Sequence, residues 1–323
     1  MAHQKKLILP IAVFLAMVLV TVVGFLALRI FTAENNFSGQ KKFLDGEKIM
    51  ALVEKQLSYG PRFLGSDAHK QTQEFLASEM ERLADEKKEQ RWFHSSADGD
   101  KNELVNIIGR FYPEKKEIII LATHYDSKKF ADKDPDNPLL PVPGANDSAS
   151  GVAILLEIAR FLALTDKIPE IGIDIVFFDG EEGKPNQGAD YGNRQPMGSA
   201  YLADHLQEIY GSKKPKSGLV LDMVCDKDLR IFKELSSVEN AQEQVEIFWK
   251  AARNINSNVF QNDIGTEIRD DHTALNQAGI PSFLVIDFEY PYFHTTEDTL
   301  DKCSEESLKT VASAILNYVY LIK

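Results

Sequence analysis

Apolar residues recur along this chain with two different periods and in one long unbroken block, and the changes between them mark out its elements. The block comes first. No charge interrupts Leu7 to Leu28, with Lys5 and Lys6 before it and Arg29 after it. About twenty apolar residues cross a bilayer core, whereas a signal-peptide core needs about 7 to 15, so the pattern predicts an N-terminal transmembrane helix. Cleavage there would instead give a secreted protein. Lysines ahead of the span place the N-terminus in the cytoplasm and carry everything after Phe31 across the membrane. No cysteine lies in or just after the span, which argues against a lipid anchor through that residue.

Beyond it, helical spacing covers Asp45 to Leu57 and, after a turn at Tyr59-Gly60-Pro61, a second helix capped by Ser66. Leu104 to Arg110 and Glu117 to Thr123 read as strands, followed by a Lys-, Asp- and Pro-rich loop over 128–143. Val152 to Leu162 is a strongly apolar helix. Ile171 to Phe178 is apolar at nearly every position, the signature of a strand buried on both faces. A polar insertion from Lys184 to Met197 leads to a helix near Ser199 to Gln207. Strands follow at Gly218 to Met223 and Asp228 to Lys233, then one long amphipathic helix from Val238 to Asn254. A short helix after Asp270-Asp271-His272, a strand over Ile280 to Ile286 and a terminal helix from Ser304 complete the series.

Strands alternating with helices predict an α/β fold built on a parallel-rich sheet. No repeat or Pro/Gly-rich linker divides the soluble part. The expected organisation is an anchor or signal over 1–33, a juxtamembrane segment and first helix over 34–58, and one catalytic domain over 59–323. Forty-nine acidic against 36 basic residues give a net charge of −13, which disfavours a nucleic-acid partner. The two cysteines, Cys225 and Cys303, cannot form a disulfide framework, and spacing does not say whether they meet.

Candidate chemistry collects where apolar strands end. Phe177-Phe178-Asp179-Gly180-Glu181-Glu182-Gly183 delivers two adjacent carboxylates into a glycine-flanked turn; they repel, so a cation is a reason to hold them there. His124 leaves the end of another strand. Asp147, in Gly144-Ala145-Asn146-Asp147, precedes a helix, where a carboxylate can also be a simple N-cap. Asp222 ends a strand and His294 sits in a loop before the last helix. A parallel sheet gathers these positions on one edge, and imidazoles with carboxylates suit zinc better than calcium or magnesium. His3, His69, His94 and His205 have no such setting and read as surface or structural.

From Tyr59 onward the chain resembles the superfamily of zinc-dependent aminopeptidases and animal-type glutaminyl cyclases. The resemblance rests on His124-Tyr125-Asp126-Ser127, Gly144-Ala145-Asn146-Asp147, Asp179-Gly180-Glu181-Glu182, Leu221-Asp222-Met223 and His294-Thr295, in family order. It implies a zinc exopeptidase-like α/β fold, with a central mixed, mostly parallel sheet flanked by helices on both faces, and one or two zinc ions. In two-zinc members Asp147 bridges, His124 and Asp222 hold one ion, Glu182 and His294 the other, and Glu181 is the base. In one-zinc cyclases Asp147, Glu182 and His294 are the ligands, and Asp222 and Asp270 share protons with Glu181. Tyr125-Asp126-Ser127-Lys128, Asp270-Asp271-His272 and the long segment after Glu182 resemble the cyclase branch. Three cyclase features depart in the expected substrate pocket: Phe293 stands for a tryptophan, Phe283 for a histidine, and no tryptophan follows Glu182 in the insertion.

The resemblance therefore implies an enzyme acting on unblocked peptide or protein N-termini. The reaction implied is cyclisation of N-terminal glutamine to pyroglutamate with release of ammonia; the alternative is an aminopeptidase. A membrane-anchored ectodomain without activity is a third reading, disfavoured because every ligand and Glu181 are present.

Overall fold

The computed structural model describes residues 44–95, 101–182 and 196–322. Contacts divide the chain into Met1–Leu44 and Asp45–Lys323, and the description below concerns the second unit. The expected membrane span and His3 lie outside the described residues; among those described, no helix is long and apolar enough to cross a membrane. The helix that sequence set apart from the catalytic domain, α1 (Gly46–Leu57), belongs to the same compact unit. Asp45 caps it by accepting from the Glu47 N–H, and Gln56 Nε2 donates to the Ala149 carbonyl at 3.0 Å.

A six-stranded sheet forms the centre, in the order β1 (Glu86–Ser95), β2 (Lys101–Phe111), β4 (Gly172–Phe178), β3 (Ile118–His124), β5 (Ser217–Asp222), β8 (Ser282–Ile286). The first two pairings are antiparallel and the remaining three parallel. All residues of β3, β4, β5 and β8 are buried, because helices cover both faces and a strand so placed has no polar side. One face packs Ile120, Val176, Val220 and Leu284 against α4 (Met197–Asp204), α5 (Leu206–Tyr210) and α8 (Asp271–Gln277). On the other, Phe283 meets Phe248 of α7 (Gln242–Arg253) and Tyr318 of α9 (Glu305–Leu321). Earlier in the chain, α2 (Asp67–Leu83) starts at its Ser66 cap, and α3 (Gly151–Leu164) is buried from Gly151 to Ile158 without a break.

Several elements differ from the expected pattern. β1 is absent from the sequence reading because its residues are mostly polar: it is an edge strand held by the hairpin to β2, with Gln90 its buried polar residue. The long helix expected over Val238–Asn254 is two, α6 (Leu235–Asn240) and α7, broken at Ala241, whose φ of −139° is not helical. The segment near Ser199–Gln207 likewise divides into α4 and α5 at His205. The strand expected over Asp228–Lys233 shrinks to β6 (Ile231–Lys233), which leaves the main sheet and pairs in parallel with the unforeseen β7 (Phe260–Ile264).

Strand register places the chemistry. β3 and β5 pair as far as Ala122 with Val220, so two residues further on His124 and Asp222 stand level at the carboxyl edge. Across the other side of β3, His124 is paired with Phe178, the residue from which the chain turns into Glu181 and Glu182.

Candidate metal centre and active-site cleft

Buried polar side chains hold the loops that carry the site. Asp126 Oδ1 accepts from the Glu181 N–H and Oδ2 from the Glu182 N–H, each at 3.1 Å, which fixes the turn holding both glutamates. The same carboxylate lies 3.4 Å from His124 Nδ1. Asp298 does this for the next loop, accepting from the backbone N–H groups of Asn146 and Asp147 at 2.9 and 3.1 Å. Arg62, fully buried, donates to the carbonyls of Tyr125, Pro143 and Gly144 and ties the two loops together. Gly144 adopts φ +74°, and a Cβ there would lie 2.5 Å from the Asp147 carbonyl, so no other residue fits this approach.

The result is two donor groups that share one residue, His124–Asp147–Asp222 and Asp147–Glu182–His294, with the candidate donor atoms of each within 4.8 Å of one another. His124 Nε2 is 3.1 Å from Asp147 Oδ1 and 3.3 Å from Asp222 Oδ1. His294 Nε2 is 3.7 Å from Asp147 Oδ2 and 3.4 Å from Glu182 Oε1. Asp147 thus turns one oxygen to each group. Its side chain faces this centre, so it is not the helix cap that its position before α3 allowed. Of the ligand-bearing positions, His294 has φ +58°, a left-handed backbone uncommon outside glycine.

These residues fit zinc. Glu182 Oε1 is buried without a hydrogen-bond partner among the described residues, a cost that protein structures rarely accept. Burial, then the charges of Glu182 and Asp222, pushes the Asp147 carboxyl up to about 8. So crowded a set of anions is relieved by a cation. Imidazole nitrogen with carboxylate oxygen is the donor mixture zinc accepts, and the arrangement has room for one or two ions.

Beside the centre opens a cleft of ≈ 220 Å³, walled by Glu181, Asp222 and Asp270 on its polar side and by Ile268, Phe288 and Phe293 on its apolar side. Burial raises the Glu181 carboxyl well above its usual range, with Glu182, Asp271 and Asp222 adding to the shift against His124. Asp270 is raised for the same reason, by burial and then by Asp222 and Glu181. It also caps α8 through the Asp271 N–H and Thr273, so its position is fixed by the start of that helix.

The structure thus brings together His124, Asp147, Glu181, Glu182, Asp222, Asp270, Phe293 and His294. Phe283 is the exception and the pocket role expected of it is corrected. It is fully buried on the opposite face of the sheet, packed 5.3 Å from Phe248 and 5.5 Å from Tyr318, because strand alternation turns it away from the face of Ile286, which does line the cleft.

Residues given no role by sequence complete the surroundings. Lys128 Nζ bonds Glu182 Oε2 at 2.9 Å with both side chains buried, and Asp132 Oδ1 bonds His294 Nδ1 at 3.0 Å. Both come from the loop expected over the rim, where charge looks solvated. His69 is structural: its Nε2 lies 2.7 Å from Asp179 Oδ1. His205 stacks on Tyr201, and His94 is half-buried on β1. Cys225 and Cys303 are joined in a disulfide.

Comparison with known proteins agrees with this architecture. The chain is similar to a Zn-dependent exopeptidase from Parabacteroides distasonis, with a TM-score of 0.80 and 34% identity over 86% of this chain and 98% of that one. It is equally similar to the glutaminyl cyclase of Tannerella forsythia, with a TM-score of 0.78 and 35% identity over 87% and 99%. Bovine glutaminyl-peptide cyclotransferase is 25% identical over 88% of this chain and 87% of its own length. Residues 106–319 match the description of Peptidase family M28, and with the fold and the paired donor groups in agreement, the chain belongs to that family of enzymes.

Proposed function

We propose that this enzyme is a zinc-dependent glutaminyl cyclase that converts the N-terminal glutamine of peptides to pyroglutamate. The observation that carries the reading is the carboxyl trio Glu181, Asp222 and Asp270 facing one small cleft beside the metal centre. Cyclisation must take a proton from an amine and return one to a leaving amine within the same pocket, and linked carboxyls suit that exchange; hydrolysis asks the same of its base, and the similarity to glutaminyl cyclases over most of the chain supports the first reading.

Asp147, Glu182 and His294 would hold one zinc ion, and His124, Asp147 and Asp222 form the second donor group. Zinc, when bound, supplies a Lewis acid that polarises the γ-carbonyl of the substrate amide. Glu181 takes a proton from the α-amine as its nitrogen attacks that carbonyl carbon. A C–N bond closes the five-membered ring, the bond to the amide nitrogen breaks, and Glu181 returns the proton so that ammonia leaves. Asp222 and Asp270 share the proton and hold Glu181 ready for both transfers. Phe293, Phe288 and Ile268 line the cleft with apolar surface that disfavours water as a competing nucleophile.

An aminopeptidase is the second reading, supported by the completeness of both donor groups around Asp147. Incubating the protein with glutaminyl and leucyl amides separates the two. Pyroglutamate with equimolar ammonia is expected; release of free leucine without pyroglutamate would establish hydrolysis instead.

The domain is proposed to work outside the cytoplasm, held by the N-terminal span. Lys5 and Lys6 before an uncharged run, and a disulfide in a chain with only two cysteines, support that placement. Protease added to intact cells, once any outer barrier is opened, should reach the domain; protection would refute the orientation.

A further inference from the structure

The cleft does not end at Phe288. A depression of ≈ 460 Å³ continues from it, sharing Ile268, Ile286 and Phe288 as common walls and running on past Phe232, Ile264 and Gly265. Phe288 and Ile264 are 46% and 55% exposed. Single exposed apolar side chains are ordinary, but two in one groove that opens from a catalytic cleft form a surface suited to an apolar ligand.

The charges around the groove are already engaged. Glu234 is 2% exposed, and its carboxylate accepts from the N–H groups of Ser236, Ser237 and Ile268. Glu289 pairs with Arg230 at 3.2 Å, and the Arg230 guanidinium lies over the Phe232 ring at 5.3 Å. A polar or acidic side chain entering here would lose water and find its partners taken. The bond from Ile268 to Glu234 also fixes the shared wall, because His272, one residue into the helix capped by Asp270, lies 3.2 Å from the same carboxylate.

We infer that this groove is a subsite for the second and third residues of the peptide substrate and selects aliphatic or aromatic side chains there. The inference rests on the reading that the N-terminal residue reacts in the cleft. A peptide so held can leave only in its C-terminal direction, at about 3.3 Å per residue when extended, which brings the next side chains over the adjoining groove. The groove is continuous with the cleft through three shared residues, and its occupant is therefore the remainder of the same ligand.

The test compares kcat/KM for Gln-Phe-Phe-amide, Gln-Asp-Asp-amide and glutamine amide in the wild-type chain and in the double variant Phe232→Ser, Ile264→Ser. Wild type should favour the Phe-Phe peptide over the Asp-Asp peptide by ~10-fold or more, and the double variant should lose most of that ratio. Loss of folded enzyme scales both substrates and leaves the ratio unmoved. Glutamine amide reports cyclisation without the groove, so failure of the activity reading is visible separately; the ratio is then read on leucyl peptides of the same extensions. Calorimetric Kd values for the pyroglutamyl products of the two peptides supply the comparison without turnover. Equal values for the two extensions, or a preference that survives in the double variant, would overturn the subsite.

Discussion

Lys128 and Glu182 form a buried ion pair inside the metal centre, with Nζ 2.9 Å from Oε2. Burial alone would raise the Glu182 carboxyl, but Lys128 above all, with His294, holds it well below its usual range. The lysine therefore keeps this donor ionised before any metal arrives, and leaves Oε1 as the oxygen that faces His294.

Removing the lysine should cost more without metal than with it. Lys128→Met leaves a buried carboxylate unpaired, and breaking such a pair typically costs ~3–5 kcal/mol. Bound zinc takes over the compensation. The fall in Tm on mutation should be clearly larger for chelator-treated protein than for zinc-saturated protein, as scanning calorimetry on both forms would show. Equal falls would mean that the pair does not serve the centre.

Much of the fold was legible because burial on both faces writes itself into sequence as unbroken apolar runs, as in β4 and β5. β1 was not, since an edge hairpin is stabilised by its partner strand and tolerates Glu86, Lys87, Lys88 and Glu89 in succession. The break at Ala241 carries no proline or glycine to announce it. Site residues were legible where strands end in His, Asp or Glu. Lys128 and Asp132 were not, because charge in a polar loop reads as solvated until the loop folds over His294. Phe283 failed for a different reason: a matching place in the sequence of a resembling family says nothing about which face of β8 a side chain takes.

The disulfide should stabilise the domain and help hold its ligand loops. Cys225 follows Asp222 by three positions; its N–H donates to Asn146 Oδ1 at 2.9 Å, next to Asp147, and its carbonyl accepts from the Ser304 N–H at 2.8 Å. Closing a loop across a separation of 78 residues constrains the unfolded chain, so Cys303→Ser should lower the unfolding free energy by ~2–4 kcal/mol. Denaturant titration of the variant against oxidised wild type measures this. An unchanged midpoint and slope would show that the bond contributes nothing.

His69 and Asp179 should give stability that depends on pH. Burial alone would lower the His69 pKa, but the Asp179 carboxylate, 2.7 Å away, outweighs it and the pKa is raised. A histidine raised on folding adds stability that is complete below its unfolded pKa of about 6.5 and is lost as pH rises through the folded value. The Tm difference between wild type and His69→Gln should therefore be greatest below about pH 6.5 and shrink as pH rises through the folded value. A difference that grows with pH would reverse the assigned sign.

Glu181→Gln tests the central claim most directly, because it keeps the shape of the side chain while removing the proposed base next to the proposed ligand Glu182. Zinc content and pyroglutamate formation are measured on the same preparation, with Glu182→Gln beside it. Glu181→Gln should retain its zinc and lose ~10² to 10⁴-fold in turnover, whereas Glu182→Gln should lose zinc. A Glu181→Gln protein that keeps both its zinc and nearly full turnover would contradict the account.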